Sequence, residues 1–170
     1  MIRLIGAALL TGGGAALGFG AVRHLEQRVQ DLDQLYVGLA VIKRELNWRM
    51  TPMPELLARA AKETKDRVSD FYRLCSVGAG HLNGRPFYRI WQQGLTSVQL
   101  RIEPEDRAVV EQLGGVLGRY DGENQRTALD EALTRLEEQR KCAVEQRSRL
   151  GKVYGTLGLT AGAFLVILLI

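Results

Sequence analysis

Residues 22–49 read VRHLEQRVQDLDQLYVGLAVIKRELNWR, and their period decides the fold class. Leu25, Val29, Leu32, Tyr36, Leu39, Ile42 and Leu46 recur at three- and four-residue steps. Such spacing lines one face of an α-helix with apolar side chains. The helix is predicted to run from Val22 to about Arg49. Thr51-Pro52-Met53-Pro54 stops it, because two prolines cannot extend the ladder and Thr51 or Pro52 can open the next helix.

Before this helix, Leu4 to Val22 carries no charge, and at the other end neither does Val153 to Ile170. At about 1.5 Å per residue, each run as a helix covers most of a hydrocarbon core about 30 Å thick. All 19 acidic residues, and every basic residue but Arg3, lie between Val22 and Val153. The chain therefore divides into an N-terminal membrane span (1–22), a charged middle domain (23–152) and a C-terminal span (153–170). Arg135, Arg140, Lys141, Arg147, Arg149 and Lys152 precede the second span, and Arg23 and Arg28 follow the first. That bias places the middle in the cytosol and both termini across the membrane. A cleaved signal peptide over residues 1–22 is the rival reading, opposed by Arg23 and Arg28 just after it.

Small residues at four-residue steps occur in both runs: Gly14 with Gly18, Gly151 with Gly155, and Gly158 with Gly162. They predict close helix–helix packing in a bilayer.

Between the spans, further short helices follow. One runs from Pro54 to about Lys62 on Leu56, Leu57 and Ala60. Another runs from Lys65 to Ala79 on Val68, Phe71, Tyr72 and Cys75, and a third from Pro86 to Ser97 on Phe87, Ile90, Trp91 and Leu95. Pro104-Glu105-Asp106 opens a fifth helix that ends near Gly114-Gly115, proline first and acids in its opening turn. Val98–Ile102 is too short to carry a sheet. The last helix, capped by Asp121 or Asn124, reaches Lys152 with Leu129, Leu133, Leu136, Ala143 and Leu150 on one face, which Arg140 and Arg147 share. The first and last long helices are expected to lie antiparallel. The fold class is all-α, a bundle of about six helices flanked by two transmembrane helices.

The net charge of +4 is too weak and too mixed with acids for nucleic-acid binding. Cys75 and Cys142 have no metal or redox spacing and read as two small core hydrophobes; a single disulfide is the alternative. His24 reads as solvated and His81 as bonded to the backbone of a turn, so neither belongs to a catalytic or metal constellation. No cofactor and no metal is expected. The densest local pattern is Leu113 to Gln125. Gly114, Leu117 and Gly118 form a tight interhelical corner in this reading, and Arg119, Asp121 and Gln125 are expected to be exposed there for a partner.

Thr51-Pro-x-Pro-Glu55, Trp91, the Leu-Gly-x-x-Leu-Gly-x-x-Asp-x-x-x-Gln of residues 113–125 and the glycine-spaced apolar ending from Leu157 to Ile170 together resemble the stage III sporulation protein AB family. The resemblance covers the whole chain. It implies a subunit of the A–Q complex, which joins mother cell and forespore across two membranes. It also implies a helical domain similar to the cytoplasmic domain of the F-type platform protein of type II secretion and type IV pilus systems. By that resemblance the chain is a non-enzymatic platform in the mother-cell-side (outer forespore) membrane. It would dock the secretion-type ATPase of the complex, stage III sporulation protein AA, beside other membrane proteins of the A–Q complex. Platform proteins carry two such domains and this chain has room for one, so homo-oligomers or partners would complete it. The alternatives are a pore formed by oligomerised spans, which lack a polar row to line it, and a membrane-bound enzyme.

Overall fold

A computed structural model describes the backbone of residues 2–48, 51–82, 84–118 and 122–169, and the side chains of residues 23–46, 51–82, 84–118 and 122–153. These residues form six α-helices and no strand. They are α1 (Ile2–Trp48), α2 (Met53–Glu63), α3 (Asp66–Gly80), α4 (Phe87–Ser97), α5 (Pro104–Val116) and α6 (Gly122–Leu169). The apolar run at each terminus continues into a charged helix without a break, so α1 is 47 residues long and α6 is 48. Among the described residues no helix is long and apolar enough to cross a membrane. The two expected spans fall on residues 1–22 and 153–170, whose side chains, Val153 apart, lie outside that description.

The chain forms two compact units. Residues 28–141 make one, and residues 1–27 with 142–170 make the other. In the larger unit, α1 and α6 run antiparallel. Asp33 meets Arg140 at 3.3 Å, Lys43 meets Asp130, and Arg126 donates to the Leu46 carbonyl at 3.4 Å. Partners thus descend on α6 as they climb on α1. In the smaller unit, Glu26 of α1 meets Arg147 of α6 at 3.5 Å.

The core of the larger unit is contributed by all six helices. Leu56, Leu57 and Ala60 of α2, Val68, Phe71, Tyr72 and Cys75 of α3, and Phe87, Ile90, Trp91 and Leu95 of α4 are all buried, as the sequence predicts. On α1 the inward line differs from the predicted one. Arg28, Leu32, Leu35, Leu39 and Ile42 are at most 2% exposed, while Val29, Tyr36 and Leu46 are half-buried. Leu129, Leu133, Leu136 and Ala143 of α6 are buried, and Leu150 is half-buried. Arg140 and Arg147 share that stripe by pairing with Asp33 and Glu26 of α1. The segment 98–102 forms no strand, yet Val98 and Leu100 are buried.

Four aromatic rings make the centre. Phe71 lies 4.8 Å from Trp91 edge to face, and Tyr72 and Phe87 stand 6.2 and 5.9 Å from the same indole. Such pairs contribute about 0.5–1.5 kcal/mol each beyond area burial. Cys75 is buried beside them, and its thiol is pushed up to about 12 by burial. Cys142 departs from expectation. It is exposed, because between Leu136 and Val153 α6 buries Ala143 alone among its described residues. Both thiols are free.

Candidate interaction corner and buried charge cluster

The corner after α5 is built on Trp91. Its indole N–H donates to the Val110 carbonyl at 2.7 Å, which fixes the ring against α5. Gly114, one turn on, lets the helix close over that ring. A Cβ there would stand 2.2 Å from the Trp91 Cδ1, far inside contact distance. Leu117 is fully buried and ends α5 as its N–H reaches the Leu113 carbonyl at 2.9 Å. Gly118 follows with φ +153°, and a Cβ on it would approach the Phe87 Cβ to 2.7 Å. Glycine serves here both a backbone conformation and a close approach.

Of the three residues expected to project from this corner, Arg119 and Asp121 lie outside the described residues. Gln125 is corrected: it is 6% exposed, because it falls on the inward face of α6 one turn before Leu129. Asn124 does not cap α6, which already begins at Gly122. Beside the corner, Val109, Leu113, Val116, Ala128 and Ala132 floor a shallow groove of about 150 Å³, rimmed by the Glu131–Arg135 pair. The glycines expected to pack helices in a membrane, Gly14, Gly18, Gly155, Gly158 and Gly162, fall where no side-chain environment is described. Gly151 is exposed, and a Cβ on it would meet nothing within 4 Å.

The cluster the sequence reading missed lies at the start of α5. The Asp106 carboxylate accepts from Arg28 Nε at 2.8 Å and Nη2 at 3.1 Å, a bidentate geometry, and from the Glu103 N–H at 2.9 Å. Glu103 meets Arg28 Nη1 at 2.7 Å, and Gln139 of α6 accepts from Nη2 at 3.5 Å. Arg28 is 2% exposed and Asp106 fully buried. Burial alone would lower the guanidinium pKa. The hydrogen bond and charge of Asp106, with Glu103 and Glu105, outweigh that, so it stands above its ordinary value. One turn along α1, the buried Asp31 carboxylate accepts from the Arg101 N–H at 2.6 Å and faces Arg67 at 3.8 Å. Burial dominates there and raises its pKa despite both partners. The signal in the sequence was an arginine at four-residue spacing from Leu32, on the line that continues through Leu35 and Leu39.

His81 sits in the turn after α3, its Nδ1 3.2 Å from the Val77 carbonyl, and His24 is exposed. Among the described residues, no three metal-ligating side chains converge. No buried side-chain nitrogen or oxygen lacks a partner there.

The described residues form an all-α domain whose polar contacts hold helices and loops together, with Gly114 and Gly118 serving close approach to α4. The chain belongs to the stage III sporulation protein AB family, whose sequence pattern matches residues 3–170. It is similar to Stage III sporulation protein AB of Bacillus subtilis (strain 168), 26% identical over 173 residues that span 99% of each chain. A solved structure of a stage III sporulation protein AB shares the fold. Its TM-score is 0.67 at 24% identity, over 72% of this chain and 98% of that one.

Proposed function

We propose that this chain is a non-enzymatic membrane platform subunit of the sporulation A–Q complex. In this reading its helical domain faces the mother-cell cytosol and docks the secretion-type ATPase to the outer forespore membrane. The observation that carries the reading is the continuity of the two long helices. Each terminal apolar run and the packed domain share one unbroken helix, Ile2–Trp48 at one end and Gly122–Leu169 at the other. A load applied to the domain is then transmitted along backbone hydrogen bonds and not through a flexible linker. Family membership over residues 3–170 supplies the sporulation context. The non-enzymatic part is supported by family membership. Burial, which pushes the Cys75 thiol up to about 12, also disfavours that thiol as a nucleophile.

Sidedness is the first test. Gly122 is exposed with open space at its Cβ position, so Gly122→Cys fits without strain in a background lacking Cys75 and Cys142. An impermeant maleimide should label it only after the cells are opened. Labelling of intact cells would put the domain outside, where a cytosolic ATPase cannot reach it. The second test is capture of the ATPase by the purified full chain. Arg119→Glu with Asp121→Arg should weaken capture while helicity is kept. Undiminished capture removes the corner from the interface, and no capture by the wild type removes the docking reading.

A further inference from the structure

The smaller unit carries a band of cations. An ion pair between Glu26 and Arg147 joins the two helices at 3.5 Å. No acidic residue precedes Glu26 in the chain and none follows Glu145. Beyond the pair stand Arg23 on α1 and Arg149 and Lys152 on α6, all exposed. Because the helices are antiparallel, stepping back from Glu26 and forward from Arg147 moves in one direction. At about 1.5 Å per residue, Arg149, Arg23 and Lys152 lie roughly 3, 4.5 and 7.5 Å past the ion pair. Three cations on two helices therefore occupy one level, about a helical turn deep.

Charge bookkeeping marks the same place. Residues 1–27 and 142–170 hold five basic and two acidic residues, whereas residues 28–141 hold eighteen and seventeen. Most of the net +4 thus belongs to the smaller unit. Neither Arg23 nor Arg149 has an ion pair among the described residues. Immediately past the band the sequence is uncharged, through Leu4–Val22 on one side and Val153–Ile170 on the other. Long basic side chains at such a junction extend their heads to the polar layer and leave their stems on apolar surface.

We propose that Arg23, Arg149 and Lys152 form a collar that binds the phosphate headgroups of anionic phospholipid. The proposal rests on the membrane reading above and adds the lipid class. Each cation near an anionic surface strengthens association by about fivefold, so the three together supply roughly a hundredfold.

The test uses the full chain in neutral detergent, labelled with a fluorophore at the exposed Cys142. Dioctanoyl phosphatidylglycerol, dioctanoyl phosphatidylcholine and inorganic phosphate are titrated separately. Phosphatidylglycerol should bind about a hundredfold more tightly than phosphatidylcholine, and more weakly as salt rises. The R23Q/R149Q/K152Q variant should fall to the phosphatidylcholine level with unchanged helicity. R85Q/R89Q, which removes exposed cations from the start of α4, should keep the preference. Equal affinity for the two lipids, or a triple variant that retains the preference, overturns the collar. Inorganic phosphate competing as well as phosphatidylglycerol overturns the lipid assignment. Carbonate extraction from phosphatidylcholine vesicles separates the two levels of the argument. Wild type and triple variant should both resist it; extraction of the wild type sinks the membrane reading and the collar together, while resistance without headgroup preference sinks the collar alone.

Discussion

Removing Asp106 should cost the domain about 4 kcal/mol, and the value follows from the geometry. Breaking a buried ion pair by deleting one partner costs about 3–5 kcal/mol, since the other charge stays buried. Arg28 would keep Glu103 at 2.7 Å, and that carboxylate is 42% exposed, so the low end near 3 kcal/mol applies. Asp106 also holds the Glu103 N–H at the first turn of α5, and losing such a contact adds about 1 kcal/mol. Asp106→Leu should therefore cost about 4 kcal/mol, and Arg28→Met about 3. The double variant replaces the pair by apolar side chains of similar length and should cost only about 2 kcal/mol, chiefly the lost cap and imperfect packing. The coupling is then about 5 kcal/mol, well above the scatter of additive pairs. Urea unfolding of the full chain in mild detergent, followed by far-UV circular dichroism, measures all four proteins. A double variant whose loss equals the sum of the single losses would refute the reasoning, because the two groups would then not share a site.

Gly114→Ala forces a methyl to within 2.2 Å of a fully buried indole that is tied to Val110, and should cost about 3 kcal/mol; an unchanged unfolding midpoint counts against that packing. Asp31→Asn should stabilise the protein at neutral pH. The folded state holds the Asp31 proton more tightly than the unfolded chain, so the ionised carboxylate is a penalty above its raised pKa. That penalty fades as pH falls toward its ordinary 3.8. Melting curves of the two proteins should therefore converge in acid, and a gap that widens there contradicts the sign. An uncharged maleimide should modify one thiol in the native chain, Cys142, and reach Cys75 only on unfolding, as mass spectrometry of the peptides will show.

The short helices were legible because each has a single apolar face and a clear stop. In α4, Phe87, Ile90, Trp91 and Leu95 leave little choice of inward face, and all are buried. The long helices were harder to read. Leu35 and Tyr36 are adjacent and both apolar, and a hydrophobic count chose the tyrosine line. The structure uses the line through Leu35, which opens with a buried arginine. No hydrophobic pattern announces that residue, because its burial depends on Asp106, 78 positions away. Gln125 and Cys142 were misjudged for the converse reason. A polar residue sits on the inward face and a thiol on the outward one, where α6 has few neighbours.

What α1 does in the larger unit follows from four polar side chains within two turns. Arg28 grips the start of α5, and Asp31 holds the backbone of the connection before it through Arg101. Gln30 and Gln34 bind the turn between α2 and α3, through the Asp66 carboxylate at 3.0 Å and the Lys65 N–H at 2.9 Å. Helices α2 to α5 are thus registered on α1 by directional contacts as well as by the nonspecific pull of Leu32, Leu35 and Leu39. Apolar packing tolerates a small axial slide, but a bidentate pair does not, since its two hydrogen bonds weaken together as the fork moves. A shift of α1 by one turn, about 5.4 Å, would break all four contacts at once and leave two charges buried without partners. The buried pair therefore specifies position more than it adds stability, which is why its isosteric replacement is expected to be mild. If α1 also enters the membrane, as proposed, the same contacts fix the domain to its anchor in one axial register. An ATPase pulling on α2–α5 would then move the anchor helix with them.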